Sequence, residues 1–466
     1  MSLFEQMANV MRIRDLRRKI LITLGLLAVC RVGVYVPLPG VNVHALGEFF
    51  RRLSDTAGGQ VLGLVNMFAG GALSRGAIFG LGIMPYISAS IIFTLLANVV
   101  PSLEALRKEG AAGQRRLNQY TRVATVFICL FQGMLLVRGL YAWGVVEPGL
   151  TASTLGSVKF MLTSGMLLMA GTMLLMWLGE QIDQYGIGNG ISLIITVNIL
   201  ARMPYAITEL RQQIATAESQ QTAILKIIVL LALFVAVVVA IIYITRGERR
   251  IPVQQQKHVR GPKVYGGQKH YLPLRVNQAG VMPIIFAQSL LMFPGIIAMA
   301  AINALEGRGE SFWLRFFQWA RDAVSGRGGQ LTVTYTVLYG ALIFFFCYFW
   351  TAVMFNPRDM SENLQNYGSF IPGIRPGKRT ADYLEGIMNR VTVAGSFFLL
   401  AIALMPMIIG HYMNVGRVAT FYGGTSILIV VGVTLDVVRR INDHLEMRRY
   451  SGFAAGAGGR RRSRRR

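Results

Sequence analysis

Ten stretches of about 20 mainly apolar residues recur along the chain, each long enough to cross the hydrocarbon core of a bilayer as a helix. They lie near 20–38, 77–98, 119–140, 157–178, 188–206, 222–245, 277–300, 332–355, 390–410 and 421–440. Inside lipid every backbone N–H and C=O must be satisfied internally, so runs of this length fold as helices. The fifth stretch is the least regular, because it opens with the glycine-rich GIGNGIS, Gly186–Ser192. Composition agrees with this reading. Of the 466 residues, 53% are hydrophobic and 15% charged, against about 25% charged in a soluble protein. The expected fold is an all-α integral membrane protein with ten transmembrane helices.

The formal net charge of +25 comes from 47 basic and 22 acidic residues. Ten spans put both termini on one side. The N-terminus, the loops on that side and the C-terminal tail then hold about three times as many Lys and Arg residues as the opposite loops. The positive-inside rule places that side in the cytoplasm, which accounts for most of the charge without DNA as a partner. The basic N-terminus, Met11–Lys19, followed by an apolar run, is expected to be a retained first span rather than a cleaved leader. Two loops on the basic side are long, Arg246–Arg275 and Asn356–Arg390. Both combine basic residues with Pro, Gly and aromatics. They read either as anchors for anionic lipid or as a docking surface for an acidic partner. Pro372, Gly373, Pro376 and Gly377 would hold Arg375 at a loop tip. The tail, Gly459–Arg466, reads as disordered.

No catalytic or metal-binding constellation emerges. His44, His258, His270, His411 and His444 are scattered, and no HExxH or GxSxG motif occurs. GIRPGKRT, Gly373–Thr380, fails as a phosphate loop, because its glycines are spaced too closely and Arg379 stands where Ser or Thr would bind magnesium. Cys30, Cys129 and Cys347 each lie in an apolar run and read as small buried hydrophobes. Neither cofactor, metal nor enzymatic activity is expected. Arg31 is the clear charge within an apolar run, as a snorkelling side chain or an interhelical bond.

One stretch resists the simple pattern. NMFAGGALSRGAIFGLGIMPYISASII, Asn66–Ile92, reads as a membrane helix in its second half, but its first half is apolar and too short to span. With RVGVYVPLPGV (Arg31–Val41), QYTR (Gln119–Arg122), MWLGEQIDQYGIGNGIS (Met176–Ser192), LPLRVNQAGVMPIIFA (Leu272–Ala287), NPRDMSENL (Asn356–Leu364), GSFIPGIRPG (Gly368–Gly377) and FYGGTSILIV (Phe421–Val430), it resembles the signatures of the bacterial SecY/Sec61 alpha family of protein-conducting channels. The order and ten-span spacing of these motifs cover nearly the whole chain.

The resemblance implies two inverted pseudo-symmetric halves of five spans around a pore: an N-terminal half over 1–210, a C-terminal half over 211–450 and a basic tail over 451–466, with a hinge near 206–221. It implies a plug at about Leu62–Ala72 containing Leu64, Asn66, Met67, Phe68, Gly70 and Gly71. A helix this short has marginal stability of its own. The implied pore ring is Ile83, Ile87, Ile191, Ile195, Ile285 and Ile429. The pairs 83/87 and 191/195 have the i,i+4 spacing that puts both on one helix face. Thr94, Gln132, Gln288 and Ser289 fall on the implied lateral gate. Arg249, Arg250, Lys257, Arg260, Lys263, Arg375 and Lys378 are the implied partner-docking residues. The first loop departs from the family where Pro262 and Lys263 precede Val264 and Tyr265, and where His258 occupies a position that is commonly basic. The implied partners are SecE-like and SecG-like membrane subunits, the motor ATPase SecA, the ribosome, signal peptides and nascent chains, and anionic lipids. The implied location is the bacterial inner membrane, and the implied function is polypeptide translocation with sideways release of membrane segments. An ion-coupled solute transporter with a broken helix is the alternative.

Overall fold

The computed structural model describes residues 13–53, 57–147, 154–205, 207–208, 211, 220–255, 258–260, 263–265, 269–278, 280–305, 312–325, 333–412 and 424–462. Each of the ten apolar stretches overlaps a helix. Among the described residues, five helices are individually long and apolar enough to span: Ala111–Ala142, Gly156–Tyr185, Ile227–Arg246, Val333–Asn366 and Lys378–Met405. The chain separates into two compact units, one over Met1–Asp55, Leu62–Tyr205 and Ile429–Arg466, the other over Thr56–Val61 and Ala206–Leu428. Most of the expected hinge, 206–221, lies outside the described residues.

In the first unit α1 (Arg14–Gly33) packs on α7 (Thr154–Tyr185), beside α2 (Val43–Leu53), α4 (Met84–Val99), α5 (Pro101–Lys108), α6 (Ala111–Ala142) and α8 (Gly190–Leu200). The helix α3 (Ala57–Phe68) enters this unit at Leu62. Small residues set the closest approaches. A methyl group at Gly133 would lie 3.4 Å from the carbonyl oxygen of Gly165, so α6 and α7 meet nearly backbone to backbone. Lipid offers no hydrophobic drive for helix association, and such close packing replaces it. A core of Leu38, Val41, Leu46, Leu140, Val146 and Leu168 closes one end, where Phe49 stacks on Trp143 at 4.5 Å.

Three expectations about this unit need correction. The second apolar stretch is not helical from residue 77: Ala77–Ile83 form bridge and turn residues, and α4 begins at Met84. At its far end α4 bends by 97° into α5. Pro101 has no N–H for the ladder, and the preceding Val100 is extended, so the helix cannot run through. The fifth stretch is broken rather than continuous: α8 covers 11 residues, Gly190–Leu200, after the Gly186–Asn189 turn, and a second turn at 201–202 precedes helical residues 203–205. Asn189 caps α8 by accepting from the Ser192 N–H at 3.0 Å, and Asp183 accepts from the Gly190 N–H at 2.8 Å. The tail expected to be disordered continues α15 (Gly424–Arg462) as helix to Arg462, and residues 463–466 lie outside the described residues.

The second unit carries α9 (Gln220–Arg246), α10 (Met282–Leu305), α11 (Phe312–Ser325), α12 (Val333–Met354), α13 (Pro357–Asn366) and α14 (Lys378–Tyr412). The two long loops fold together. Strand β1 (Glu248–Gln255) pairs antiparallel with β4 (Lys269–Arg275) from Glu248↔Arg275 to Gln254↔Lys269, and β5 (Ser369–Phe370) from the other loop adds to β1 at Gln254 and Gln255. Between them β2 (His258–Arg260) and β3 (Lys263–Tyr265) form a separate hairpin. Ile251, Val253 and Leu274 alternate inward and bury against Phe355, Ile371, Leu384, Ile387 and Met388. The second loop is shorter than its composition suggested. Asn356 caps α13 by accepting from the Arg358 N–H, and α14 starts at Lys378, so Lys378–Arg390 is helix.

Candidate functional site

The stretch Asn66–Ile92 begins in the last residues of α3, which ends at Phe68 in a tight double turn. Gly70 and Gly71 have φ of +65° and +90°, a backbone region that side chains disfavour. The turn closes on itself: the Gly71 N–H donates to the Asn66 carbonyl at 2.8 Å, the Ser74 N–H donates to the Asn66 side-chain oxygen at 3.0 Å, and the Ser74 hydroxyl donates to the Gly71 carbonyl at 3.1 Å. Asn66, Met67 and Phe68 are buried, Phe68 almost completely. The Leu64 side chain lies outside what is described.

Polar groups from two other helices meet this turn. The Asn198 amide, on α8 and 3% exposed, donates to the Phe68 carbonyl at 2.9 Å. The Arg31 guanidinium, near the end of α1, reaches the Gly70 carbonyl at 3.4 Å and the Asn198 side-chain oxygen at 3.5 Å. Just beyond, Arg75 lies 4.2 Å over the Tyr35 ring and donates to the Tyr205 hydroxyl at 2.9 Å. Of the two readings of Arg31, the structure bears out the bond between elements.

Four of the isoleucines singled out stand around α4 and α8. Ile83 directly precedes α4, and its carbonyl accepts from the Ile87 N–H at 3.1 Å, so the two share the first turn. Ile83, Ile87 and Ile195 are buried and Ile191 half-buried. Ile429, on α15, is buried and also belongs to the first unit, whereas Ile285, buried on α10, belongs to the second. At the expected gate positions the hydroxyls bond to their own helices, Thr94 to the Ser90 carbonyl and Ser289 to the Ile285 carbonyl, both at 2.7 Å. Gln132 is half-buried. Gln288 is buried with its side-chain oxygen unpartnered among the described residues.

In the folded loop body Arg249, Arg250, Arg375 and Lys378 are exposed. Arg250 pairs with Glu248 at 2.8 Å. Arg375 sits at the tip of a fixed turn. Gly373 and Gly377 have positive φ, the Arg375 carbonyl accepts from the Thr380 hydroxyl at 3.0 Å, and Ser361 on α13 donates to the Gly377 carbonyl at 2.7 Å. Lys257 and Pro262 lie outside the described residues, as do the side chains of His258, Arg260 and Lys263.

Some positioning residues were not legible beforehand. Asn198 shares the run ISLIITVNIL with Ser192 and Thr196, and its sole signal is an amide in a mainly apolar helix. Arg122 and Glu180 lie in separate motifs, QYTR and MWLGEQ, yet form a two-pronged ion pair. Thr23 on α1 accepts from the Ile187 N–H at 3.0 Å and so holds the GIGNG turn.

The SecY family model matches residues 77–438. The protein translocase subunit SecY of Thermotoga maritima is 40% identical over 452 residues, covering 97% of this chain and 98% of its own length. The protein of the same name from Vibrio cholerae is 40% identical over 94% of this chain and 93% of its own. In fold, the chain is similar to a solved protein-conducting channel, with a TM-score of 0.59 at 16% identity over 95% of this chain and 97% of that one. It is also similar to canine Sec61 in a ribosome-channel complex, with a TM-score of 0.56 at 15% identity over the same shares.

Proposed function

The chain belongs to the SecY family of protein translocase subunits, and from that premise we propose that it forms the pore through which unfolded polypeptides cross the bacterial inner membrane. The observation that carries this reading is α3: a short helix with buried Met67 and Phe68, turned back by Gly70 and Gly71 and leading into the α4 that carries Ile87. Such a segment is a displaceable plug. Ile83, Ile87, Ile191, Ile195, Ile285 and Ile429 form the constriction it covers. Branched apolar side chains dewet a narrow pore and so resist ion leak, and they offer a passing chain no hydrogen bonds. The protein-translocase names of the relatives leave the solute-transporter reading without support.

The chain itself supplies no energy and no covalent chemistry. A motor ATPase of the SecA kind or a translating ribosome engages the exposed loop body through Arg249, Arg250, Lys257, Arg260, Lys263, Arg375 and Lys378, with both termini on that cytoplasmic side. SecE-like and SecG-like subunits complete the complex. The gate residues Thr94, Gln132, Gln288 and Ser289 receive a signal-sequence helix and let membrane segments leave sideways. The test is reconstitution with the small subunits and the motor in vesicles, followed by protease protection of a secretory precursor. ATP-dependent protection is the expected result, and its absence with a folded, motor-binding complex overturns the reading.

A further inference from the structure

We infer that Asn198 and Arg31 form a polar latch that sets how firmly the plug is held at rest, and therefore how strong a signal sequence must be to open the channel. The inference rests on the proposed translocation function. It does not follow from the plug alone, whose apolar residues could be retained by packing. The α3 turn presents two backbone carbonyls, those of Phe68 and Gly70, to side chains from α8 and α1. Asn198 donates to the first at 2.9 Å, Arg31 reaches the second at 3.4 Å, and Arg31 also reaches the Asn198 side-chain oxygen at 3.5 Å. Each end of the Asn198 amide is thereby occupied, one by the plug and one by Arg31.

The burial makes this contact consequential. Phe68 is 1% exposed and Asn198 3% exposed. A carbonyl or amide withdrawn from water and then stripped of its partner bears the full desolvation penalty. Moving the plug therefore requires a new partner for the Phe68 carbonyl and for the amide and guanidinium left behind. Water entering the opened space can supply them, which couples release of the latch to wetting. The fit around the turn is close. A methyl group at Gly70 would lie 2.6 Å from the Asn198 side-chain oxygen and 2.7 Å from an Arg31 nitrogen, at a φ of +65°. A side chain at position 70 would wedge the latch apart. All the groups belong to the first unit.

The experiment uses the full chain with its membrane subunits in vesicles. It compares Asn198→Leu, which keeps bulk and removes both polar atoms, with the unmodified chain. Two precursors are followed, one with an intact and one with a crippled signal sequence. The expected result is a several-fold rise in the ratio of crippled to intact precursor transported. In parallel, Ser74→Cys is introduced with Cys30, Cys129 and Cys347 replaced by Ala or Ser, and its labelling rate by a charged maleimide is measured. That rate is expected to rise several-fold when Asn198→Leu is added. Arg31→Met should act in the same direction but less, because its contacts are longer. Should the leucine variant misfold, Arg31→Met carries the same two readouts. An unchanged ratio together with unchanged labelling overturns the latch. Failure of the unmodified chain to transport the intact precursor refutes the translocation reading instead, so the two failures are separable.

Discussion

The Arg122 guanidinium closes on the Glu180 carboxylate through two hydrogen bonds, Nε to Oε1 at 2.9 Å and Nη2 to Oε2 at 2.7 Å. The partners come from α6 and α7, so the pair pins two long helices near one end. A forked guanidinium matches a carboxylate in both charge and geometry. The side chains are 46% and 21% exposed, which screens the attraction. A double-mutant cycle of Arg122→Met and Glu180→Gln is expected to give a coupling of about 1 kcal/mol in detergent unfolding. Arg122→Lys should recover only part of it. A coupling near zero would leave the close Gly133–Gly165 approach, farther along the two helices, as what joins α6 to α7.

Gly190 should tolerate no side chain. A methyl group there would overlap the backbone carbonyl of Gly179 on α7, and backbone cannot move aside as a flexible side chain can. Overpacking of this kind typically costs about 1–3 kcal/mol. Asn189→Ala, which removes only the cap on α8, should cost about 1 kcal/mol. The unfolding midpoint of Gly190→Ala is therefore expected to fall further than that of Asn189→Ala. The reverse order would mean that the cap, not the helix contact, governs this junction.

Replacing Ile87 and Ile285 together by Ser should wet the proposed constriction and raise the resting ion conductance of reconstituted channels several-fold. Hydroxyls in a narrow passage lower the cost of keeping water there. If conductance stays at the level of the unmodified channel in a folded double variant, these two residues do not form the seal.

Arg375 should be the most sensitive residue of the loop body. Gly373, Gly377, Ser361 and Thr380 fix its turn, while the guanidinium remains exposed. Arg375→Glu is expected to abolish motor-driven transport and Arg375→Lys to impair it less, because Lys keeps the charge but loses the fork. Motor and ribosome binding, measured separately, identify the partner affected. Equal activity of Lys and Arg would reduce the contact to diffuse electrostatics, and full activity of Glu would end the docking idea.

Periodicity, charge and motif order carried much of this protein unaided. An apolar run of sufficient length must be helical in lipid, and so each of the ten stretches overlaps a helix. The burial of Cys30, Cys129 and Cys347 and the turn around Arg375 were likewise readable, because each depends on neighbours close in sequence. Helix ends were less so: α4 starts seven residues after the apolar pattern, and α14 runs back to Lys378 through polar residues, because caps and packing set an end where hydropathy changes only gradually.

What the tertiary structure alone decided are the contacts between distant residues. Nothing in TVNIL announces that Asn198 will donate to Phe68, 130 positions away, and nothing in Arg31 selects Gly70 over a lipid headgroup. The merging of two loops into one body, with β5 on β1, is of the same kind. Hydropathy along a chain says how deep a residue lies. It does not say which other residue lies at that depth beside it, and hydrogen bonds, with their short range and strict direction, are made only where folding has already brought the two together.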